Sequence, residues 1–158
     1  MTNPSPAFDS NHQAGTSNLP APGGWAFLFA AWLVAAVSTL GALFLSEIMQ
    51  VAPCVLCWYQ RAFMFPLVLV LAAGLFPLDG KVVRYASPLA AAGWLVALFH
   101  LLLTKGVIPE TLAPCTQGIP CSRIDVEWFG FLTLPMLSLL SFSAIGLALG
   151  AFHYKSRQ

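Results

Sequence analysis

The stretch GWAFLFAAWLVAAVSTLGALFLS, from Gly24 to Ser46, runs for 23 residues without one Asp, Glu, Lys or Arg. As a helix rising about 1.5 Å per residue it would be about 35 Å long, enough to cross a hydrocarbon core of about 30 Å. Three more uncharged intervals follow: 17 residues between Arg61 and Asp79, 20 between Arg84 and Lys105, and 27 between Glu127 and Lys155. A spanning helix needs about 20 apolar residues. The pattern therefore predicts an all-α integral membrane protein, a four-helix transmembrane bundle with helices at about 24–46, 57–76, 86–104 and 129–153. Trp25, Trp58, Tyr85, Trp128 and Tyr154 fall near the predicted ends, where interfacial aromatics belong.

Composition leaves little else. Of 158 residues, 58% are hydrophobic and 8% charged, against about 45–50% and about 25% in soluble domains. Mean hydropathy is +0.78. Disorder needs the opposite balance. A net charge of +1 cannot build the basic face of a nucleic-acid binder. Residues 1–23 differ in kind, being rich in Asn, Ser, Pro, Ala and Gly, and are expected to form a mobile tail. The tail lacks the positive segment of a cleavable signal peptide, so the first helix is expected to be an uncleaved anchor. The membrane domain is expected over 24–154, with 155–158 as a C-terminal tail.

Four spans put both termini on one side. That side would hold Lys81, Arg84, Lys155 and Arg157, and the other Arg61, Lys105 and Arg123. The slight excess of positive charge places both termini in the cytoplasm. The same topology puts all four cysteines, Cys54, Cys57, Cys115 and Cys121, on the extracytoplasmic side, where disulfides form and persist.

Cys54 and Cys57 make a C-x-x-C behind Pro53, at the mouth of the second predicted helix. Free N–H groups at a helix N-terminus favour an anion there, and the C-x-x-C arrangement lowers a thiol pKa. Arg61 stands at i, i+3, i+7 with the two cysteines, so all three share one helical face. A charge at the edge of the apolar layer is costly, which points to a function for Arg61, although snorkelling to the head groups is an alternative. Cys115 and Cys121 lie in a polar loop with Gly118 and Pro120 between them, turn formers that let the loop close a bridge. Spacing alone leaves structural staples open for both pairs. A zinc site is disfavoured, because C-x5-C is unlike a zinc ribbon, and no metal is expected. His100 is the only histidine in the interior of a predicted span, His153 standing at the end of the fourth; it reads either as a bundle hydrogen-bond partner or as a partner for a bound carbonyl.

The string Pro53-Cys-Val-Leu-Cys-Trp-Tyr-Gln-Arg61 resembles the membrane disulfide-forming oxidoreductases of the DsbB/BdbC family. So do Gly118-Ile-Pro-Cys-Ser122 and Trp128-Phe-Gly-Phe-Leu-Thr-Leu-Pro135. The resemblance covers about Trp25 to Phe152. It implies a protein-dithiol:quinone oxidoreductase of the bacterial cytoplasmic membrane. Such an enzyme reoxidises a thioredoxin-fold partner of the DsbA/BdbD type and passes the electrons to ubiquinone or menaquinone. On this resemblance Cys54 and Cys57 match the quinone-linked pair, Cys115 and Cys121 the pair that exchanges with the partner, and Arg61 the arginine that polarises the quinone. His100 looks like the histidine of the short-loop branch. Only five residues separate Cys115 from Cys121, which is similar to the BdbC-like members. Enzymes of the vitamin K epoxide reductase type carry their loop pair before the C-x-x-C, the reverse of the order here. A four-helix scaffold or small transporter with two structural disulfides is the rival from outside the enzymes.

Overall fold

The computed structural model describes residues 24–76, 79–109, 127–128 and 132–156. The expected tail, both cysteines of the second pair and most of their loop lie outside the described residues. Four long helices, α1 (Gly24–Leu43), α2 (Val55–Leu75), α3 (Val82–Thr104) and α4 (Leu134–Lys155), account for most of the described residues. A π-helical turn (Phe44–Ile48) extends α1. A two-residue antiparallel pairing of β1 (Glu127–Trp128) with β2 (Leu132–Thr133) precedes α4.

All four helices are long and apolar enough to cross a membrane. They pack in a closed ring, α1 against α2 and α4, and α3 against the same two neighbours. The buried seam is built from small and branched residues: Leu28, Ala31 and Ala35 of α1, Leu67 and Leu71 of α2, Ala86, Ala90 and Ala97 of α3, and Phe142, Ile145 and Leu149 of α4. Leu40, Leu69, Leu95 and Leu147 point outward and are more than half exposed. A helix apolar on every side is at home only inside protein or lipid, and a multi-pass membrane protein satisfies both faces.

Lipid tails are as apolar as the helix surfaces, so close packing and interhelical hydrogen bonds hold such bundles together. Ser38 and Ser141 bond across α1 and α4 at 3.0 Å, and Trp94 Nε1 donates to Ser143 Oγ across α3 and α4 at 3.0 Å. The Phe142 ring lies directly over Gly93, with no room for a Cβ.

The helix ends differ from the hydropathy windows for identifiable reasons. Helix α3 begins at Val82 instead of about 86, because Arg84 and Tyr85 occupy its first turn. Asp79 prepares that turn by accepting from the Lys81 N–H at 2.9 Å. Helix α4 begins at Leu134 instead of about 129, because the pairing of Glu127 with Thr133 and of Trp128 with Leu132 takes up the backbone there. Pro135 then sits in the first turn of α4, where its missing N–H costs nothing. Helix α2 begins at Val55, two residues before the hydropathy estimate, because Cys54 caps it.

Gly93→Val should push the Phe142 ring out of its seat and cost about 1–3 kcal/mol, the range for overpacked cores. Gly146→Val, where a Cβ meets nothing within 4 Å, should leave thermal unfolding in detergent nearly unchanged. Equal melting of the two variants would show that α3 and α4 do not depend on this contact.

Candidate active site

Cys54 occupies the N-cap of α2 in extended conformation, and its sulfur accepts the Cys57 N–H at 3.4 Å. Ser or Asp ordinarily fills that role, satisfying one of the N–H groups a helix start leaves open. The cap fixes the geometry of the pair: the two Sγ atoms are 3.0 Å apart, in the dithiol state. Cys54 is buried among Leu56 and Leu103, with Val96, Phe99 and Ile108 against the cluster. The pair therefore sits where α2 starts and α3 ends, at the root of the loop that carries Cys115 and Cys121.

His100 reaches this cluster from α3. It is 3% exposed, with Nε2 3.7 Å from Cys54 Sγ. On its other side Gln60 Nε2 lies 3.1 Å from Nδ1. Gln60 is itself buried, at 8% exposure. The two sulfurs and the imidazole nitrogen lie within 4.8 Å of one another, a spacing that this chain of hydrogen bonds accounts for. Gln60 was not a candidate on sequence grounds. The available signal was an amide three residues after Cys57 on a helix that is otherwise nearly all apolar on its inner face.

Arg61 is half-buried and turns toward α1. Its Nη2 donates to the Ala42 carbonyl at 2.7 Å and its Nη1 to Ser46 Oγ at 3.3 Å. The Trp58 ring lies 5.5 Å from the guanidinium carbon, a cation–π distance. The anchoring residues are where α1 passes into its π turn, a distortion often found at functional sites. The outer surface at the same end of α1 is largely apolar past Leu40, Phe44 and Ile48 and also carries Glu47. The structure thus brings Cys54, Cys57, Gln60 and His100 together, with Arg61 on the neighbouring flank. Cys115 and Cys121 fall outside the described residues.

The electrostatics favour one sulfur. The hydrogen bond from the Cys57 thiol, reinforced by His100 and the helix N–H, draws Cys54 from an ordinary 9.0 down to about 4, against the opposing effect of burial. Cys54 is thus the sulfur on which negative charge is favoured, with the Cys57 N–H donating to it.

Comparison with known proteins gives a consistent picture. A family model described as disulfide bond formation protein DsbB matches residues 24–152. A probable disulfide formation protein of Metapseudomonas resinovorans is 48% identical over 133 residues, covering 82% of this chain and 92% of that protein. Disulfide bond formation protein C of Bacillus subtilis is 44% identical over 119 residues, covering 75% of this chain and 86% of its own. No solved structure matches the chain.

In the reduced protein, alkylation of Cys54 should hold its rate from neutral pH downward and fall only as pH approaches about 4, because a depressed thiol stays ionised above its own pKa. Residue-resolved mass spectrometry after short pulses of a neutral alkylating reagent reads this. A midpoint near the ordinary 9.0 would refute the assignment of the thiolate.

Proposed function

The chain belongs to the DsbB family of disulfide bond formation proteins, and on that premise we propose that it reoxidises a thioredoxin-fold thiol oxidase outside the cytoplasm and delivers the electrons to a membrane quinone. The observation that carries the reading is the capped C-x-x-C, its sulfurs 3.0 Å apart, set at the root of the loop that holds the second pair.

The proposed relay has two thiol–disulfide exchanges. A thiolate of the reduced partner attacks the Cys115–Cys121 disulfide, and the partner's second thiol resolves the mixed disulfide. The partner leaves oxidised, and the loop pair keeps two electrons and two protons. The loop dithiol then reduces a Cys54–Cys57 disulfide by the same chemistry, regenerating its own bridge. The charge-stabilised Cys54 sulfur suits this second exchange as the better leaving group. Cys57, on the Arg61 side of the pair in sequence, is the proposed donor to the final acceptor.

Energetics ask for a strong acceptor. A DsbA-type oxidant has a potential near about −120 mV, and about 30 mV corresponds to about 1.4 kcal/mol for a two-electron couple. When bound, a quinone supplies that sink, taking two electrons and two protons as the Cys54–Cys57 disulfide re-forms. The residues present fit such a molecule. Arg61 can donate to a ring carbonyl, and a guanidinium fixed by Ala42 and Ser46 needs little rearrangement to do so. The apolar flank of α1 past Leu40 and Phe44 suits a long hydrocarbon tail. The proposed setting is the bacterial cytoplasmic membrane, with both termini inside and all four cysteines outside.

Purified protein, a reduced thioredoxin-fold partner and a soluble quinone analogue test the reading. Arg61→Ala should slow quinone reduction at least about tenfold, a barrier change of about 1.4 kcal/mol, while partner exchange through Cys115–Cys121 continues. Cys57→Ser should abolish quinol formation and leave electrons on the loop pair. Undiminished quinol formation by Cys57→Ser would overturn the route, and equal loss of both half-reactions in Arg61→Ala would remove its assignment to the acceptor.

A further inference from the structure

Two buried polar side chains on neighbouring helices demand an explanation. Gln60 and His100 face each other across α2 and α3, and both are over nine-tenths buried. A buried amide left unbonded costs about 1–3 kcal/mol, so each limits what the other can do. An amide nitrogen can only donate. Gln60 Nε2 lies 3.1 Å from Nδ1 of the ring, and in this amide orientation Nδ1 is the acceptor. A neutral imidazole carries one proton, which then resides on Nε2. That nitrogen lies 3.7 Å from Cys54 Sγ, within reach of a hydrogen bond to sulfur.

We propose that Gln60 is a positioning residue that selects the Nε2–H tautomer of His100, so that the imidazole presents a donor, and not a lone pair, to Cys54. The consequence is directional. A bare Nε2 would act as a base toward a Cys54 thiol and would repel its thiolate. A protonated Nε2 donates to the thiolate and so stabilises it. His100 thereby works on the same sulfur as the Cys57 thiol, from the opposite helix, and the pair becomes unsymmetrical: charge on Cys54, proton on Cys57. Among the described residues the titratable groups acting on Cys54 are Cys57 of its own helix and His100 of α3. Arg61 stands on the other side, held by α1. The inference depends on the dithiol geometry and not on the identity of the acceptor or the partner.

The experiment uses the full-length protein, reduced, in detergent or nanodiscs, with neither partner nor quinone, so it can fail independently of the proposed relay. With histidine labelled by nitrogen-15, the His100 signals should show a protonated Nε2 and an unprotonated Nδ1. In Gln60→Leu the two tautomers should mix, and the midpoint for Cys54 alkylation should rise by about one pH unit, making alkylation about tenfold slower below it. In Gln60→Glu the carboxylate accepts from Nδ1–H, the ring keeps Nε2–H as an imidazolium, and the midpoint should stay at or below that of the parent. Gln60→Leu should add nothing in a His100→Ala background, because the amide acts only through the ring. A protonated Nδ1 with a bare Nε2 in the parent protein overturns the proposal, even if the variants fail to fold. So does a Gln60→Leu effect that persists without His100.

Discussion

A sulfur atom takes the place of a capping oxygen at the start of α2, and the chemistry of the site depends on that substitution. The first turn of a helix always seeks an acceptor. Here it finds Cys54 Sγ, 3.4 Å from the Cys57 N–H. The bond fixes the rotamer of one cysteine and brings the other to 3.0 Å. Pro53 precedes the cap and favours the extended entry that the N-cap conformation requires. The orientation also aims the sulfur at α3, where His100 waits. Remove the cap and the shared geometry of thiol, thiol and imidazole has nothing to hold it.

Several polar groups among the apolar helices pair across them, whereas Trp32 Nε1 and Thr39 Oγ1 of α1 are buried without a partner among the described residues. Ser38 answers Ser141, Trp94 answers Ser143 and Gln60 answers His100. Arg61 answers the carbonyl of Ala42 and the hydroxyl of Ser46. Each bond joins two different helices. The polar residues that serve the site are thus also ties between α1, α2 and α3. Small residues such as Gly93 allow α3 and α4 to approach closely enough to keep the rest dry.

The architecture was readable because charge is so scarce: four uncharged intervals map onto four spans, and the motif Cys54 to Arg61 marks the site. Helix ends were less readable. Arg84 and Tyr85 look like loop residues to a hydropathy window, yet helical hydrogen bonding continues beyond the apolar layer. The short pairing before α4 rests on contacts between backbones four and six residues apart, which leave little trace in composition. The partners of Arg61 were hidden for a similar reason, since a backbone carbonyl such as that of Ala42 has no side-chain signature. Gln60 was hidden because its meaning comes from a ring forty residues away. His100 had two readings, a hydrogen-bond partner within the bundle or a partner for a bound carbonyl, and its observed contacts include Gln60 Nε2 and Cys54 Sγ.

The short antiparallel pairing of Glu127–Trp128 with Leu132–Thr133 has a kinetic meaning. Together with the end of α3 it moors both ends of the segment bearing Cys115 and Cys121. Cys115 and Cys121 share one chain with Cys54 and Cys57, so the proposed exchange between the two pairs would be unimolecular. Tethering on one chain raises the effective concentration of one group near another to the order of millimolar. Dilution of the protein in the lipid plane would not weaken such a step, which would leave to chance only collisions with molecules arriving from outside the chain.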